Sequence, residues 1–243
     1  MWQLAGISLI FEDLALLVVN KPAGLATLPD GYDPTLPHIK LLLERQFGRL
    51  WVVHRLDKAT SGVLLIARSA DAHRSLNSQF EQHTVSKVYH ALVAGNPEWQ
   101  EKTIDLPLHS NADRQHRTLV DPQLGKPAIT HFMVLERFYH ACLLQAIPET
   151  GRTHQIRAHL NAVDLAILGD KLYAKPAAPG KKVAGSFMEE EEGLIRMTGG
   201  MGLHALSLEI THPLSGERLK FEAPYPQSLL TVLQHLRSSA PSG

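Results

Sequence analysis

The residues best suited to chemistry are concentrated in His54-Arg55-Leu56-Asp57-Lys58-Ala59-Thr60-Ser61-Gly62. Two cations, one carboxylate and a Thr-Ser-Gly turn share a short connection there. Trp51-Val52-Val53 precedes it and Val63-Leu64-Leu65-Ile66-Ala67 follows. Both flanks read as short buried strands, since aliphatic and β-branched runs of this length fit a sheet interior. A carboxylate lodged between core strands is costly unless something pairs with it, and Arg55 answers that cost only in part. Asp57 is therefore either a group placed for work or a turn cap that bonds nearby backbone N–H groups.

Two further polar residues stand in apolar segments where polarity needs a reason. Arg157 can pair with a carboxylate and keep Asp57 ionised in a dry cleft. Tyr89 can offer a ring face to a flat ligand and a hydroxyl to a proton transfer. Taken singly, Tyr89 also reads as an ordinary sheet aromatic and Arg157 as a partly exposed helix residue. The chain has 14 histidines, but no metal site is expected from them. His154 and His159 point about 140° apart on a helix, and His54 and Asp57 have no third ligand of matching spacing. GxGxxG, Walker, HExxH and Gly-x-Ser-x-Gly patterns are all missing, so no nucleotide cofactor or serine hydrolysis is expected.

The elements that must position these groups follow from periodicity. Residues 7–11 and 15–19 read as strands, the second feeding Asn20-Lys21-Pro22-Ala23-Gly24. A helix from about Pro37 to Phe47 carries Ile39, Leu42, Leu43 and Phe47 on one face. Ser69 can N-cap a helix over 70–82 whose stripe is Ala72, Leu76 and Phe80. Strands follow at 85–93, 102–108, 117–120, 127–137 and 139–147, the last pair forming a hairpin around Phe138-Tyr139. This run of strands without helices between them predicts antiparallel pairing and an α+β class. Thr153 is the N-cap candidate of the next helix, with Ile156, Leu160 and Val163 buried and His154, Arg157 and Asn161 facing a cleft. Residues 174–202 read as a solvated loop insertion, 203–211 and 217–222 as strands, and a closing helix starts at Pro226. One domain over 1–243, its largely antiparallel mixed sheet divided by a cleft, is the expected architecture.

A chain of 243 residues with 44% hydrophobic composition can bury a sizeable core. Formal net charge is zero, so any nucleic-acid contact must rest on a local basic patch. The single cysteine, Cys142, lies in an apolar run and excludes an internal disulfide. With no signal or membrane segment, a cytoplasmic protein is expected.

The nonapeptide at 54–62 resembles the His-Arg-Leu-Asp-x-x-Thr-Ser-Gly motif of RluA-like pseudouridine synthases. Asn20-Lys21-Pro22-Ala23-Gly24 is similar to that family's Lys-Pro-x-Gly motif, and Ser86-Lys87-Val88-Tyr89 to its Lys-x-Tyr motif. Gly151 to His159 resembles its Arg-bearing motif. Leu168-Gly169-Asp170-Lys171-Leu172-Tyr173 and Leu203-His204-Ala205 with His212-Pro213 complete the same order, from about residue 10 to 225. Many relatives carry an amino-terminal S4-type RNA-binding domain, which is not expected here because the first motif begins near residue 18. The resemblance implies a pseudouridine synthase fold and isomerisation of uridine to pseudouridine in tRNA or rRNA, with no cofactor. It makes Asp57 the essential carboxylate, Tyr89 a platform for the everted base and Arg157 the partner of Asp57. Arg55 would enter the gap left by the base. Lys21, Arg152, Lys171, Lys175, Lys181 and Lys182 are candidates for phosphate contacts. His54, Lys87 and His154, from the same motifs, join them as RNA-contacting candidates. RNA is the expected partner of a monomer, with no membrane involved.

Two other classes compete. An RNA-binding protein on the same fold would tolerate loss of Asp57. A glycoside-cleaving hydrolase would need a second carboxylate beside it, and Asp170 alone stands in a comparably ordered context.

Overall fold

A computed structural model of the chain describes residues 3–31, 33–173, 193, 195 and 200–238. The expected insertion at 174–202, with Lys175, Lys181 and Lys182, lies largely outside the described residues. The chain divides into two compact units, Met1–Lys87 with His204–Pro226 and Val88–Leu203 with Gln227–Gly243.

In the first unit, β1 (Gln3–Leu4), β2 (Ile7–Glu12) and β3 (Leu16–Lys21) pair antiparallel in turn. β3 then runs antiparallel to β5 (Ser61–Ala67). β5 lies parallel to β12 (Leu203–Thr211), which pairs antiparallel with β13 (Arg218–Glu222). Every residue of β5 is buried, which is why its sequence shows no polar alternation. Each fully buried Leu or Ile there contributes about 1.5–3 kcal/mol through removal of apolar surface from water. Leu16, Val18, Val63, Leu65 and Ala67 form a core with Ala72 and Leu76 of α2 (Ala70–Glu81) and with Leu208 and Ile210 of β12. The Ser69 hydroxyl accepts from Ala72 N–H and caps α2, as its position predicts. α1 (Ile39–Phe47) starts two residues later than the spacing suggests, behind a His38 cap. The strand expected at Trp51–Val53 shrinks to β4 (Trp51–Val52), a half-buried edge pair. It is not a core strand: the Arg49 guanidinium lies over the Trp51 ring, 5.0 Å from its centre.

In the second unit, four antiparallel strands follow the order β6 (Ser86–Ala94), β11 (Ala141–Pro148), β10 (Ile129–Arg137), β7 (Glu101–Asp105). The strand expected over 102–108 breaks at Pro107, which has no N–H for a ladder. β8 (Leu108–His109) instead pairs with β9 (Leu119–Val120) in a separate two-stranded sheet. Phe138 N–H donates to Ala141 O at 2.8 Å and closes the predicted hairpin. α3 spans Gln155–Ala162, and α4 (Gln227–Ser238) buries Leu229, Val232, Leu233 and Leu236. Among the described residues, no helix is long and apolar enough to cross a membrane.

Candidate active site

The Asp57 loop is held by its neighbours on both sides. Thr27, buried at 3% exposure, donates its hydroxyl to Leu56 O at 3.0 Å and accepts from Leu56 N–H at 3.3 Å. Lys58 O accepts from Gly24 N–H at 2.8 Å and from Lys21 Nζ at 3.2 Å. Thr60 N–H donates to Asp57 O at 3.0 Å and closes the turn. Beyond it, Ser61 Oγ lies 2.8 Å from His204 Nδ1, and His204 Nε2 lies 3.1 Å from Ala223 O. Gly62 has φ +117°, and a β-carbon there would fall 2.1 Å from Ala205 O. The motif residues around Asp57 are therefore occupied with shaping its loop, while the Asp57 side chain itself is half-buried.

Lys21 does not sit where a phosphate contact requires it. It is 0% exposed, and Nζ donates to Pro22 O at 2.9 Å, Leu25 O at 2.7 Å and Lys58 O. Burial pulls its ammonium down to about 7 while the charge of Asp57 opposes the shift. Three carbonyls around Nζ match the three N–H donors of the charged form, so the cage suits the ammonium. A buried lysine between a turn and the loop is a clip, not an RNA ligand.

His54 likewise faces inward. Its Nε2 accepts from Leu65 N–H at 2.9 Å, and its ring stacks on Phe80 with centres 5.1 Å apart. Burial, helped by the charge of Lys87, pushes the imidazole from 6.5 down to about 3. Unfolding therefore takes up a proton between these values, so stability is full above pH 6.5 and is lost as pH falls toward 3. His54→Gln, which keeps an acceptor for Leu65 N–H, is expected to flatten the pH dependence of the urea midpoint across that window. An unchanged slope would move the acid sensitivity to another group. Burial also lowers Lys87, half-buried, to about 8. Arg55 is exposed, and its guanidinium has no intramolecular partner among the described residues.

In the second unit, Arg157 is held by Asp170. Its Nε donates to Asp170 Oδ2 at 2.7 Å and its Nη2 to Asp170 Oδ1 at 2.8 Å, with side chains 8% and 1% exposed. Asp170 Oδ1 also accepts from Leu172 and Tyr173 N–H. The guanidinium lies over the Tyr173 ring, 4.9 Å from its centre. Tyr173 donates to Thr118 O at 3.0 Å, and its oxygen accepts from Thr118 N–H at 2.8 Å. This bidentate pair takes two of the five N–H donors of Arg157 and orients the rest.

The start of α3 corrects the expected cap. His154, not Thr153, is the N-cap; it has φ 53° and makes no side-chain cap bond. Its Nδ1 lies 3.2 Å from Tyr173 Oη, so the ring is tied to the Arg157 support. Gln155 to Leu160 are all buried, so α3 is not a one-sided stripe. Its polar residues are satisfied internally: Gln155 Nε2 donates to Ile129 O and Thr130 Oγ1, and His159 Nδ1 lies 2.9 Å from Thr130 Oγ1. Arg152 Nε donates to Pro127 O at 3.1 Å. Lys171 is exposed, and Tyr89 is half-buried in β6 opposite Ala146. Among the described residues, no three His, Cys, Asp or Glu side chains stand where they can hold a metal ion.

The sequence gives Thr27 no place in a motif, gives Tyr173, Ser61 and His204 a place in motifs but no role, and gives Asp170 a place in a motif and a role only as the acid of a rival reaction. The signal available for Asp170 is a carboxylate within the motif Leu168 to Tyr173.

Residues 15–162 match the family model described as RNA pseudouridylate synthase. The chain is 35% identical over 245 residues to the ribosomal large subunit pseudouridine synthase D of Zymomonas mobilis, covering 96% of this chain and 74% of that protein. It is 37% identical over 237 residues to the protein of the same description from Nitrosomonas europaea, covering 96% of this chain and 66% of that one. The solved structure of human RNA pseudouridylate synthase domain containing 4 superposes with a TM-score of 0.74 at 25% identity, covering 94% of this chain and 92% of that one.

Proposed function

The chain belongs to the RNA pseudouridylate synthase family, and from that premise we propose that it isomerises a uridine of ribosomal RNA, or of tRNA, with Asp57 as the essential carboxylate. The family's activity is conversion of uridine to pseudouridine in RNA. N1–C1′ breaks, the ring turns, and C5–C1′ forms. The C5 proton leaves to solvent and N1 takes one up, so no atoms are gained or lost from the nucleotide. The large-subunit rRNA named for the bacterial relatives supports rRNA as the substrate. The base must leave its stack to expose C1′ and C6.

One observation carries the assignment of Asp57: hydrogen bonds seize the backbone on either side of it, at Leu56 and at Lys58. A carboxylate on such a backbone is pre-oriented, which is what attack on C1′ or C6, or removal of a ribose proton, requires. Arg55, exposed beside it, is the side chain assigned to the vacated place of the base. Arg157, held by Asp170, supplies the counter-charge for the carboxylate in this reading, and Tyr89 stacks on the everted ring. Lys87, Arg152, His154 and Lys171 remain RNA-contacting candidates. The reading takes the chain as one catalytic domain and a monomer, and as cytoplasmic, with which its single cysteine, buried and free, is in keeping.

The hydrolase reading loses its second acid, because both oxygens of Asp170 are used by Arg157 and by backbone N–H groups. The discriminating experiment is incubation with rRNA and tRNA carrying tritium at uridine C5. Tritium release with pseudouridine as product supports the synthase, whereas free uracil supports the hydrolase. Comparing pseudouridine maps of RNA from cells with and without the protein identifies the position modified. Tyr89→Phe is expected to keep RNA affinity but slow turnover about 10²-fold, the usual scale for loss of a group assisting proton transfer. Collapse of binding instead would assign the hydroxyl to RNA affinity.

A further inference from the structure

We infer that His204 is a positioning residue for the reaction, holding the exit of the Asp57 loop on β12 through Ser61. This rests on the assignment of Asp57 made above.

The proton positions in the pair follow from chemistry. Ala223 O can only accept, so His204 Nε2, 3.1 Å away, carries the proton. Nδ1 is then the acceptor, and the Ser61 hydroxyl donates to it across 2.8 Å. The edge-on ring of Tyr225, 5.4 Å away at 77°, packs against the imidazole. Ser61 is 2% exposed and His204 0%, so water does not compete for this bond.

The position of the pair gives it leverage on Asp57. β5 and β12 meet in parallel at only two residue pairs, Ser61 with His204 and Gly62 with Ala205. Parallel pairing is the weaker kind, and the antiparallel ladder with β3 runs as far as Lys21 opposite Gly62, so at the strand start Ser61 is paired on the β12 side and not by β3. The hydroxyl–imidazole bond is directional and fixes the Ser61 rotamer at that start. Thr60 N–H in turn bonds Asp57 O, so Asp57 lies between fixed points at Leu56, Lys58 and Ser61. Stability alone does not require a polar pair here. At the Ser61–Nδ1 contact two apolar side chains of similar shape serve nearly as well, and the cost of removing the imidazole falls on Ala223 O, which loses its donor. What the polar pair adds is direction.

That difference is testable with four variants: Ser61→Ala, His204→Leu, the double variant, and His204→Asn, whose amide oxygen replaces Nδ1 as acceptor. Thermal midpoint, kcat and KM for tritium release are measured beside wild type and Asp57→Asn. Both single variants are expected to lose thermal stability and to lose kcat by about tenfold to a hundredfold, with KM within about twofold, as for a displaced catalytic group. Relative to His204→Leu, the double variant regains the part of the midpoint lost by orphaning the Ser61 hydroxyl, not the part lost with the donor to Ala223 O, and it does not regain kcat; His204→Asn regains kcat to within a few-fold. Return of kcat together with stability in the double variant makes the pair merely structural and overturns the inference. A rise in KM at unchanged kcat overturns it as well, in favour of an RNA contact. An active wild type, an inactive Asp57→Asn and a fully active double variant sink the role of His204 alone. No tritium release from wild type sinks the assignment of Asp57, and this inference with it.

Discussion

Asp57→Asn is expected to release no measurable tritium from RNA labelled at uridine C5, a loss of about 10⁴-fold or more, the scale of removing a central catalytic group. The amide is nearly isosteric but can neither attack carbon nor accept a proton as a carboxylate does. The fold is expected to survive, because the loop is shaped by its backbone and neighbours. Thr27 grips Leu56, and Gly24 with Lys21 grips Lys58. One cost is electrostatic. The charge of Asp57 partly offsets the burial of Lys21, so the variant is expected to lose on the order of 1 kcal/mol in urea unfolding. Residual turnover within tenfold of wild type would remove Asp57 from the chemistry. An unfolded variant would reassign it to structure.

Asp170→Ala is expected to carry the largest stability loss, about 3–5 kcal/mol, the usual result of removing one partner from a buried ion pair. The Arg157 and Asp170 side chains are 8% and 1% exposed and joined by two parallel N–H···O bonds. The same carboxylate also receives the Leu172 and Tyr173 amides, which lose their acceptor with it. Asp170→Asn retains an oxygen for those amides but not the charge, and is expected to fall between alanine and wild type. Denaturant midpoints at constant m-value measure both. Turnover is expected to fall as well, since the guanidinium no longer has one orientation over Tyr173. A loss below about 1 kcal/mol for alanine would mean that the pair behaves as a solvated one and does not anchor α3.

Local features of the chain were legible because their causes are local. The unbroken apolar run of β5 announced a strand covered on both faces, and Ser69 before a 3.6-residue stripe announced α2. The same logic failed where a neighbour three or four residues away was not what decided the conformation. Thr153 looked like the cap of α3, yet His154 takes the left-handed position and turns its ring toward Tyr173. α3 looked one-sided, yet Gln155 and His159 are buried because Thr130, on β10, satisfies both.

The sequence by itself marked the candidates on which the proposed chemistry draws: one carboxylate in a signature loop, an arginine on a later helix and a tyrosine on a strand. It also determined the α+β class. Tertiary structure alone decided which polar groups are spent on architecture. Thr27 reaches Leu56 across 29 positions, Arg157 meets Asp170 across 13, and Ser61 meets His204 across 143. No periodicity relates such partners, because hydrogen bonds and ion pairs are selected by distance in space. That is why Lys21 and His54, which look available for RNA, are instead consumed in holding the loop that carries Asp57.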